Sequence, residues 1–116
     1  MRRVITAPHY IFLKDWRGIM GLERDFQPKL ITRIKNSFPG CVILKNDPSY
    51  IQGMPDLTIL YKNRWAMLEV KKDSSASHRP NQDYYVKKLN EMSFAAFIFP
   101  ENVEEVLHDL QQAFES

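Results

Sequence analysis

The stretch of sequence that decides the fold runs from Gly53 to Lys71 and reads GMPDLTILYKNRWAMLEVK. It holds two largely apolar runs, residues 56–61 and residues 64–71, separated by a polar pair at 62–63. Runs of this length around a short polar turn predict a β-hairpin. A hairpin pairs the beginning of its first strand with the end of its second, so the two ends of this stretch are expected to lie side by side.

Three charged side chains are expected at this edge of the hairpin. Asp56 opens the first strand, and Glu69 and Lys71 lie near the end of the second. Since side chains alternate along a strand, Glu69 and Lys71 share one face and Val70 points to the other. An unpaired carboxylate is expensive to bury in so apolar a strand. We therefore expect Glu69 to have partners.

Two carboxylates and an ammonium in one place suit metal-assisted chemistry on phosphate. Carboxylate oxygens are the ligands that Mg²⁺ and Mn²⁺ prefer, and these ions bridge to phosphate oxygens. Such a metal lowers the pKa of a bound water and neutralises charge on the phosphoryl group, while a nearby lysine stabilises the developing charge or orients the water. The alternative is that Asp56 merely begins a strand and that Glu69 and Lys71 lie on a solvated sheet face.

Length and composition exclude several other classes of protein. A chain of 116 residues with 44% hydrophobic and 26% charged residues fits one globular domain. The single cysteine, Cys41, excludes an internal disulfide framework and a cysteine-rich zinc site. No apolar run approaches the roughly 20 residues of a membrane span, and the first residues lack the pattern of a signal peptide. We expect a soluble protein of a reducing compartment, the cytoplasm.

Charge is unevenly distributed along the chain. The net charge is only +2, but residues 101–116 contain five acidic residues and no lysine or arginine. Residues 1–100 therefore carry sixteen basic against nine acidic groups, a net charge of +7. This asymmetry suits a polyanionic partner bound by the body of the domain, with the acidic tail facing away. Ordinary solvated surface charge is the alternative.

The remaining helices and strands are predicted from the spacing of apolar residues and from the positions of proline, glycine and other turn-forming residues. Together with the hairpin they give the order α-β-β-β-α-β-α, a mixed sheet flanked by helices. The predicted elements are a helix over 26–38 ended by Pro39-Gly40, a strand over 41–44, a loop over 46–55, a loop over 72–79, a helix from Pro80 to Met92, a strand over 95–99, and a last helix that begins at Asn102 with Glu105 as capping-box partner.

With these motifs placed, the sequence resembles the PD-(D/E)xK nuclease superfamily, and within it the small stand-alone VRR-NUC modules of phages and bacteria, which are related to Holliday-junction resolvases. Pro55-Asp56 and Glu69-Val70-Lys71 match the superfamily motif. Three features resemble the VRR-NUC group and extend the likeness over residues 23–99: Glu23-Arg24-Asp25-Phe26-Gln27, Gly53-Met54-Pro55-Asp56 and Pro80-Asn81-Gln82.

The resemblance implies a restriction-endonuclease-like α/β fold with an α-β-β-β-α-β core and an added C-terminal helix. Residues 22–116 would form this single nuclease domain. Residues 1–21 lie outside the likeness and are interpreted as an N-terminal extension, either a strand or a dimer element.

The resemblance also implies roles for particular residues. Asp56 and Glu69 would ligate one or two Mg²⁺ ions, for which Mn²⁺ would substitute, with the backbone carbonyl of Val70 as a further ligand. Lys71 would act on the nucleophilic water or on the transition state. Gln82 would orient Lys71 or a water.

Glu23 would be an accessory catalytic carboxylate, but Pro28 complicates its place. Proline does not sit deep inside a helix without disrupting it. If Asp25 is the N-cap, Pro28 falls in the first turn and Glu23 lies just outside the helix.

Residues around the motif are candidates for contact with DNA. Lysines and arginines that neutralise phosphates give salt-sensitive binding, although solvated charge explains any one of them equally well. Tyr50 and Ile51 either reach a groove or junction centre or pack within their loop. The three histidines lack metal-ligand spacing and are expected to be structural or exposed. The basic candidates are Lys72, Arg79, Lys87 and Lys88.

The hypothesis is a metal-dependent endonuclease that hydrolyses DNA phosphodiester bonds and acts, as a homodimer, on branched or structured DNA in replication, recombination or repair. The branched substrate follows from the resemblance. One alternative is a sequence-independent duplex nicking or restriction-like nuclease, and another is a catalytically silent DNA-binding module on a nuclease fold. A non-nucleic-acid interaction protein would require the motif to be a coincidence.

Overall fold

The computed structural model describes residues 25–115, which form a four-stranded sheet with helices on both faces. A short 3-10 turn, Pro100–Asn102, precedes the last helix. The elements in chain order are α1 (Phe26–Ser37), β1 (Val42–Lys45), β2 (Leu57–Tyr61), β3 (Arg64–Val70), α2 (Pro80–Met92), β4 (Phe94–Ile98) and α3 (Val103–Glu115). The restriction-endonuclease-like order expected from the sequence is the order observed.

The sheet has the strand order β1-β2-β3-β4. The first three strands are antiparallel neighbours, whereas β4 runs parallel to β3 after the crossover through α2. In the β2–β3 pair Leu57 stands opposite Leu68, and in the β3–β4 pair Glu69 stands beside Phe97. The left-handed residue Lys62, with φ of 57°, makes the tight turn between β2 and β3.

Alternation along the strands divides the interior into two layers. On one face, α1 and α3 pack on Leu57, Ile59, Ala66 and Leu68, side chains with no exposed surface. On the other face, α2 packs through Val86 and Leu89 on the layer that contains Trp65, Met67 and Phe97. Glu69 and Lys71 belong to this second face because they follow Met67 at intervals of two residues. The acidic helix α3 thus lies across the sheet from them.

Several bounds of the sequence prediction need correction. The first helix ends at Ser37 instead of residue 38, and the first strand is Val42–Lys45, one residue later than expected. The last strand is Phe94–Ile98, one residue earlier than expected, because Phe94 already pairs with Ala66 of β3. The last helix begins at Val103 instead of Asn102. The amide of Asn102 binds back to the main chain, accepting from the N–H of Phe99 at 2.9 Å and donating to the carbonyl of Phe97 at 3.1 Å, so the side chain closes the preceding turn.

The start of α1 settles the position of Pro28. Asp25 is the N-cap residue and Pro28 is the third residue of the helix, where a missing N–H costs little. The proposed extension over residues 1–21 and the candidate Glu23 lie outside the described residues. Between residues 25 and 115, the helices are too short and too polar for any of them to cross a membrane.

Candidate active site

The first part of the site lies where β2 begins and β3 ends. Since Leu57 pairs with Leu68, the residue before Leu57 and the residue after Leu68 are also neighbours across the antiparallel pair. These residues are Asp56 and Glu69. The Oδ2 atom of Asp56 accepts the backbone N–H of Val70 at 2.8 Å, which fixes the angle of this carboxylate beside β3.

Glu69 is a nearly fully buried acid, with 4% of its surface exposed. Burial and the neighbouring charge of Asp56 raise the pKa of Glu69 from 4.5 to about 7, although the ammonium of Lys71 and the N–H of Asp56 work in the opposite direction. The charged form of Glu69 is therefore disfavoured at this position, mainly by burial and then by the charge of Asp56. The expected approach of Asp56 and Glu69 is present, and the solvated-face alternative does not describe Glu69.

Gln82 joins the two functional residues of β3. Its Oε1 atom accepts from Lys71 Nζ at 2.8 Å, and its Nε2 atom donates to Glu69 Oε2 at 2.8 Å. An ammonium can only donate and a carboxylate only accept, so these partners fix which way the amide faces. Lys71 Nζ also lies 3.7 Å from Glu69 Oε2. The first turn of α2 thus holds both side chains in one orientation.

The loop over residues 72–79 supplies a contact that the sequence did not reveal. The carbonyl of Ser77 accepts from Lys71 Nζ at 3.1 Å. The next residue, His78, is held by two partners: its ring stacks on Phe97 with centroids 3.9 Å apart, and its Nδ1 atom lies 3.0 Å from Asp83 Oδ1. The role of Ser77 is a main-chain one, which leaves no signal in residue type.

Gly53 packs the loop that precedes Asp56 against the start of α2. Its φ is +92°, and a Cβ atom built on it would lie 2.3 Å from Asn81 Cβ and within 2.8 Å of the Asn81 main chain. Only glycine fits this position. Two motifs of the sequence are therefore in contact, Gly53-Met54-Pro55-Asp56 and Pro80-Asn81-Gln82. This contact sets the position of Asp56 relative to Gln82.

The basic candidates divide into two groups by position. Lys72 and Arg79 are exposed at the two ends of the loop beside Lys71, and Lys72 lines an open cleft of about 480 Å³ together with Lys71 and Ser77. Lys87 and Lys88 are exposed further along α2, and Lys87 pairs with Glu91 at 2.9 Å. The first group lies nearer the carboxylates.

The donor set fits a hard divalent cation. Asp56 and Glu69 supply carboxylate oxygens. Burial and, after it, the charge of Asp56 raise the pKa of Glu69, and a cation between the two carboxylates would offset their repulsion. Within residues 25–115 no third histidine, cysteine or acidic side chain joins them. A metal held here would complete its shell with the Val70 carbonyl and waters, which is the way proteins bind Mg²⁺.

The metal-free protein is expected to lose stability as the pH rises from about 4.5 to about 7. Over this range the unfolded chain releases the Glu69 proton while the folded protein keeps it, so the free energy of unfolding falls by up to about 3 kcal/mol and then levels off. Urea unfolding in EDTA at pH 5, 6, 7 and 8 measures the slope. Glu69→Gln is the matched control and should lack this component; an identical slope in both proteins contradicts the assignment.

Comparisons with known proteins bear on the fold. No protein-family model and no curated protein matches the chain. Among solved structures, one described as a VRR_NUC domain protein is similar with a TM-score of 0.51 and 17% sequence identity, covering 76% of this chain and 87% of that chain. At this level of identity the similarity shows the fold, and it confirms the restriction-endonuclease-like class that the sequence indicated.

Proposed function

We propose that the chain is a metal-dependent nuclease that hydrolyses phosphodiester bonds in DNA. The observation that carries the proposal is the group formed by Asp56, Glu69, Lys71 and Gln82, in which two carboxylates and one ammonium are held by hydrogen bonds beside an open cleft. A fold shared with a VRR_NUC domain protein supports it.

Each residue has a definite task in this proposal. Asp56 and Glu69 hold Mg²⁺ or Mn²⁺, as one or two ions, with the Val70 carbonyl. When bound, such an ion lowers the pKa of water and offsets the charge of the phosphate. Lys71 donates to the phosphate oxygens or to the attacking water, and Gln82 keeps its ammonium in place. Because Lys71 is mostly buried, with 13% of its side chain exposed, its charge acts at a lower effective dielectric than in bulk water.

The distribution of charge supports DNA as the substrate. Lys72 lines the cleft beside Lys71, and Arg79 is exposed at the other end of the same loop. The acidic helix α3 packs on the opposite face of the sheet. A phosphate backbone approaching the cleft therefore meets two lysines, Lys71 and Lys72, against one acidic residue, Asp73, and it avoids the acidic helix. Branched DNA of the kind formed in replication, recombination or repair is the substrate class that we propose.

A cleavage panel tests the proposal. Linear duplex, single strand, 5′ flap and four-way junction are incubated with Mg²⁺, Mn²⁺ or EDTA, and products are resolved on denaturing gels. We expect cutting only with a divalent ion, and most of it on the branched members. Equal cutting of plain duplex supports a nicking enzyme instead. Salt-sensitive binding without cutting of any substrate supports a silent DNA-binding module.

A homodimer belongs to the same proposal, since twofold symmetry presents two sites to two strands. The exposed face of the sheet carries an apolar strip near the edge strand β1 that could form the dimer contact. Val42 is 51% exposed, its cross-strand partner Leu60 is 39% exposed, and Leu44 is 47% exposed. Light scattering is expected to give twice the chain mass of 13.7 kDa. Leu44→Asp should halve that value, and a wild-type protein that is monomeric at all concentrations contradicts the proposal.

A further inference from the structure

The loop between β1 and β2 carries an aromatic side chain that the mechanism above does not use. Tyr50 is 84% exposed, the highest value among the exposed large apolar and aromatic side chains in the described part of the chain. The sequence left two alternatives for Tyr50: contact with a DNA groove or junction centre, or packing within its loop. A side chain this exposed does not pack within its loop. Single exposed aromatic residues are common on protein surfaces, so the place of Tyr50 matters more than its exposure.

The two ends of this loop are tied together at the site. The backbone N–H of Asn46 donates to the carbonyl of Asp56 at 2.8 Å, and the Asn46 side chain donates to the carbonyl of Pro55 at 2.8 Å. The chain then turns back at once, because the N–H of Tyr50 donates to the carbonyl of Asp47 at 3.3 Å. Tyr50 precedes Asp56 by only six positions in the chain, so the Tyr50 backbone lies within about 20 Å of Asp56.

Contacts near both ends of the loop restrict its conformation. Asp47 accepts from both the N–H and the hydroxyl of Ser49, at 2.9 and 2.7 Å. At the other end, Gly53 packs against Asn81 at the start of α2. An aromatic ring presented by a preformed loop loses little conformational freedom when a ligand binds to it.

We infer that Tyr50 stacks on an unpaired base one or a few nucleotides from the cleaved phosphate, and that it thereby gives preference to DNA with splayed bases over continuous duplex. This inference rests on the proposed function, because the DNA is placed by the carboxylate site. In a duplex both faces of each internal base are already covered, whereas an unpaired base offers a free face to an aromatic side chain. Stacking of this kind changes affinity by about fivefold to about 100-fold.

The experiment measures preference and stacking separately. The first readout is the ratio of kcat/KM for a 5′ flap to kcat/KM for linear duplex. The second is the fluorescence of 2-aminopurine placed in the unpaired arm, read at saturating protein with Ca²⁺ in place of Mg²⁺ so that the DNA stays uncut. The variants are Tyr50→Ala, which removes the ring, and Tyr50→Phe, which keeps it. Tyr84→Ala is the matched control, because Tyr84 is 57% exposed on α2 and outside this loop.

Tyr50→Ala is expected to lower the preference ratio at least fivefold and to abolish the quenching of 2-aminopurine. Tyr50→Phe should keep both within about twofold of wild type, and so should Tyr84→Ala. An unchanged ratio in Tyr50→Ala overturns the inference, as does an equal loss in Tyr50→Phe or in Tyr84→Ala.

Refutation of the Tyr50 stacking contact can be distinguished from refutation of the nuclease proposal. A wild-type protein that cuts nothing refutes the nuclease, but quenching that disappears in Tyr50→Ala still supports the stacking contact. A wild-type protein that cuts DNA without quenching the unpaired base refutes the stacking contact alone. Because Tyr50 is exposed, its replacement should change thermal stability little, which circular dichroism verifies.

Discussion

Replacing Glu69 with glutamine is expected to lower the kcat/KM for DNA cleavage by about 1000-fold or more while the protein remains folded. Glutamine has nearly the same shape and can still accept the hydrogen bond from Gln82 Nε2. What it removes is the negative charge that would hold the metal beside Asp56. Loss of the ion removes both the activated water and the charge compensation at phosphorus, each of which contributes several kcal/mol to the barrier.

The same variant should be more stable than the wild type at pH 8 in EDTA. The wild-type protein must then keep a buried carboxylate charged, against burial and the charge of Asp56, whereas the amide is neutral. If the catalytic defect came from unfolding, the variant would be less stable than the wild type. Thermal or urea unfolding therefore separates loss of the metal ligand from loss of the fold. Isothermal titration with Mn²⁺ should show binding to the wild type that is lost in Glu69→Gln.

Glu105→Gln is the matched control for this substitution. Glu105 is an exposed carboxylate on α3, across the sheet from the site, and its change to glutamine should leave cleavage within about twofold of wild type. Retention of cleavage by Glu69→Gln to within tenfold would show that the activity does not depend on this carboxylate. Asp56→Asn offers an independent check at the second predicted ligand.

The hairpin and its charged edge were predictable because their signals are local. Alternation from Trp65 to Val70 fixes the faces of β3, and a two-residue turn fixes the register that sets Asp56 opposite Glu69. The position of Gln82 was suggested only by a resemblance, since it depends on where the crossover through α2 ends. A helix that returns to place β4 parallel to β3 leaves its first turn beside the end of β3, and this is a property of the fold and not of the spacing in sequence.

Other contacts of the site leave no comparable signal. Ser77 acts through its main-chain carbonyl, which every residue possesses, and the stacking of His78 on Phe97 joins a loop to a strand 19 positions away in sequence. The sequence-based expectation for His78, a structural or exposed residue, agrees with its contacts but did not identify its partner. The burial of Glu69 was indicated by its apolar neighbours, whereas the size of its pKa change depends on Asp56 and on packing across two strands.

Replacing Gly53 with alanine is expected to destabilise the protein by about 3 kcal/mol and to reduce cleavage. Two costs add: alanine is strained at a φ of +92°, and its Cβ would lie 2.3 Å from Asn81 Cβ. Relief requires the loop to move away from α2, and that movement shifts Asp56 relative to Gln82. A displacement of about 1 Å at a catalytic group costs about 100-fold in rate, so kcat should fall even at temperatures where the variant is folded.

The chain provides a matched control for the backbone part of this cost. Gly40 has nearly the same φ, +91°, but a Cβ built on it meets nothing within 4 Å. Gly40→Ala should therefore cost only about 1 kcal/mol and leave kcat unchanged, because strain is its only penalty and it lies at the end of α1, away from the site. Urea unfolding of both variants isolates the contribution of the contact between Gly53 and Asn81. If the two alanine variants are equally stable, the loop does not pack on α2 as described, and the relative placement of Asp56 and Gln82 must have another cause.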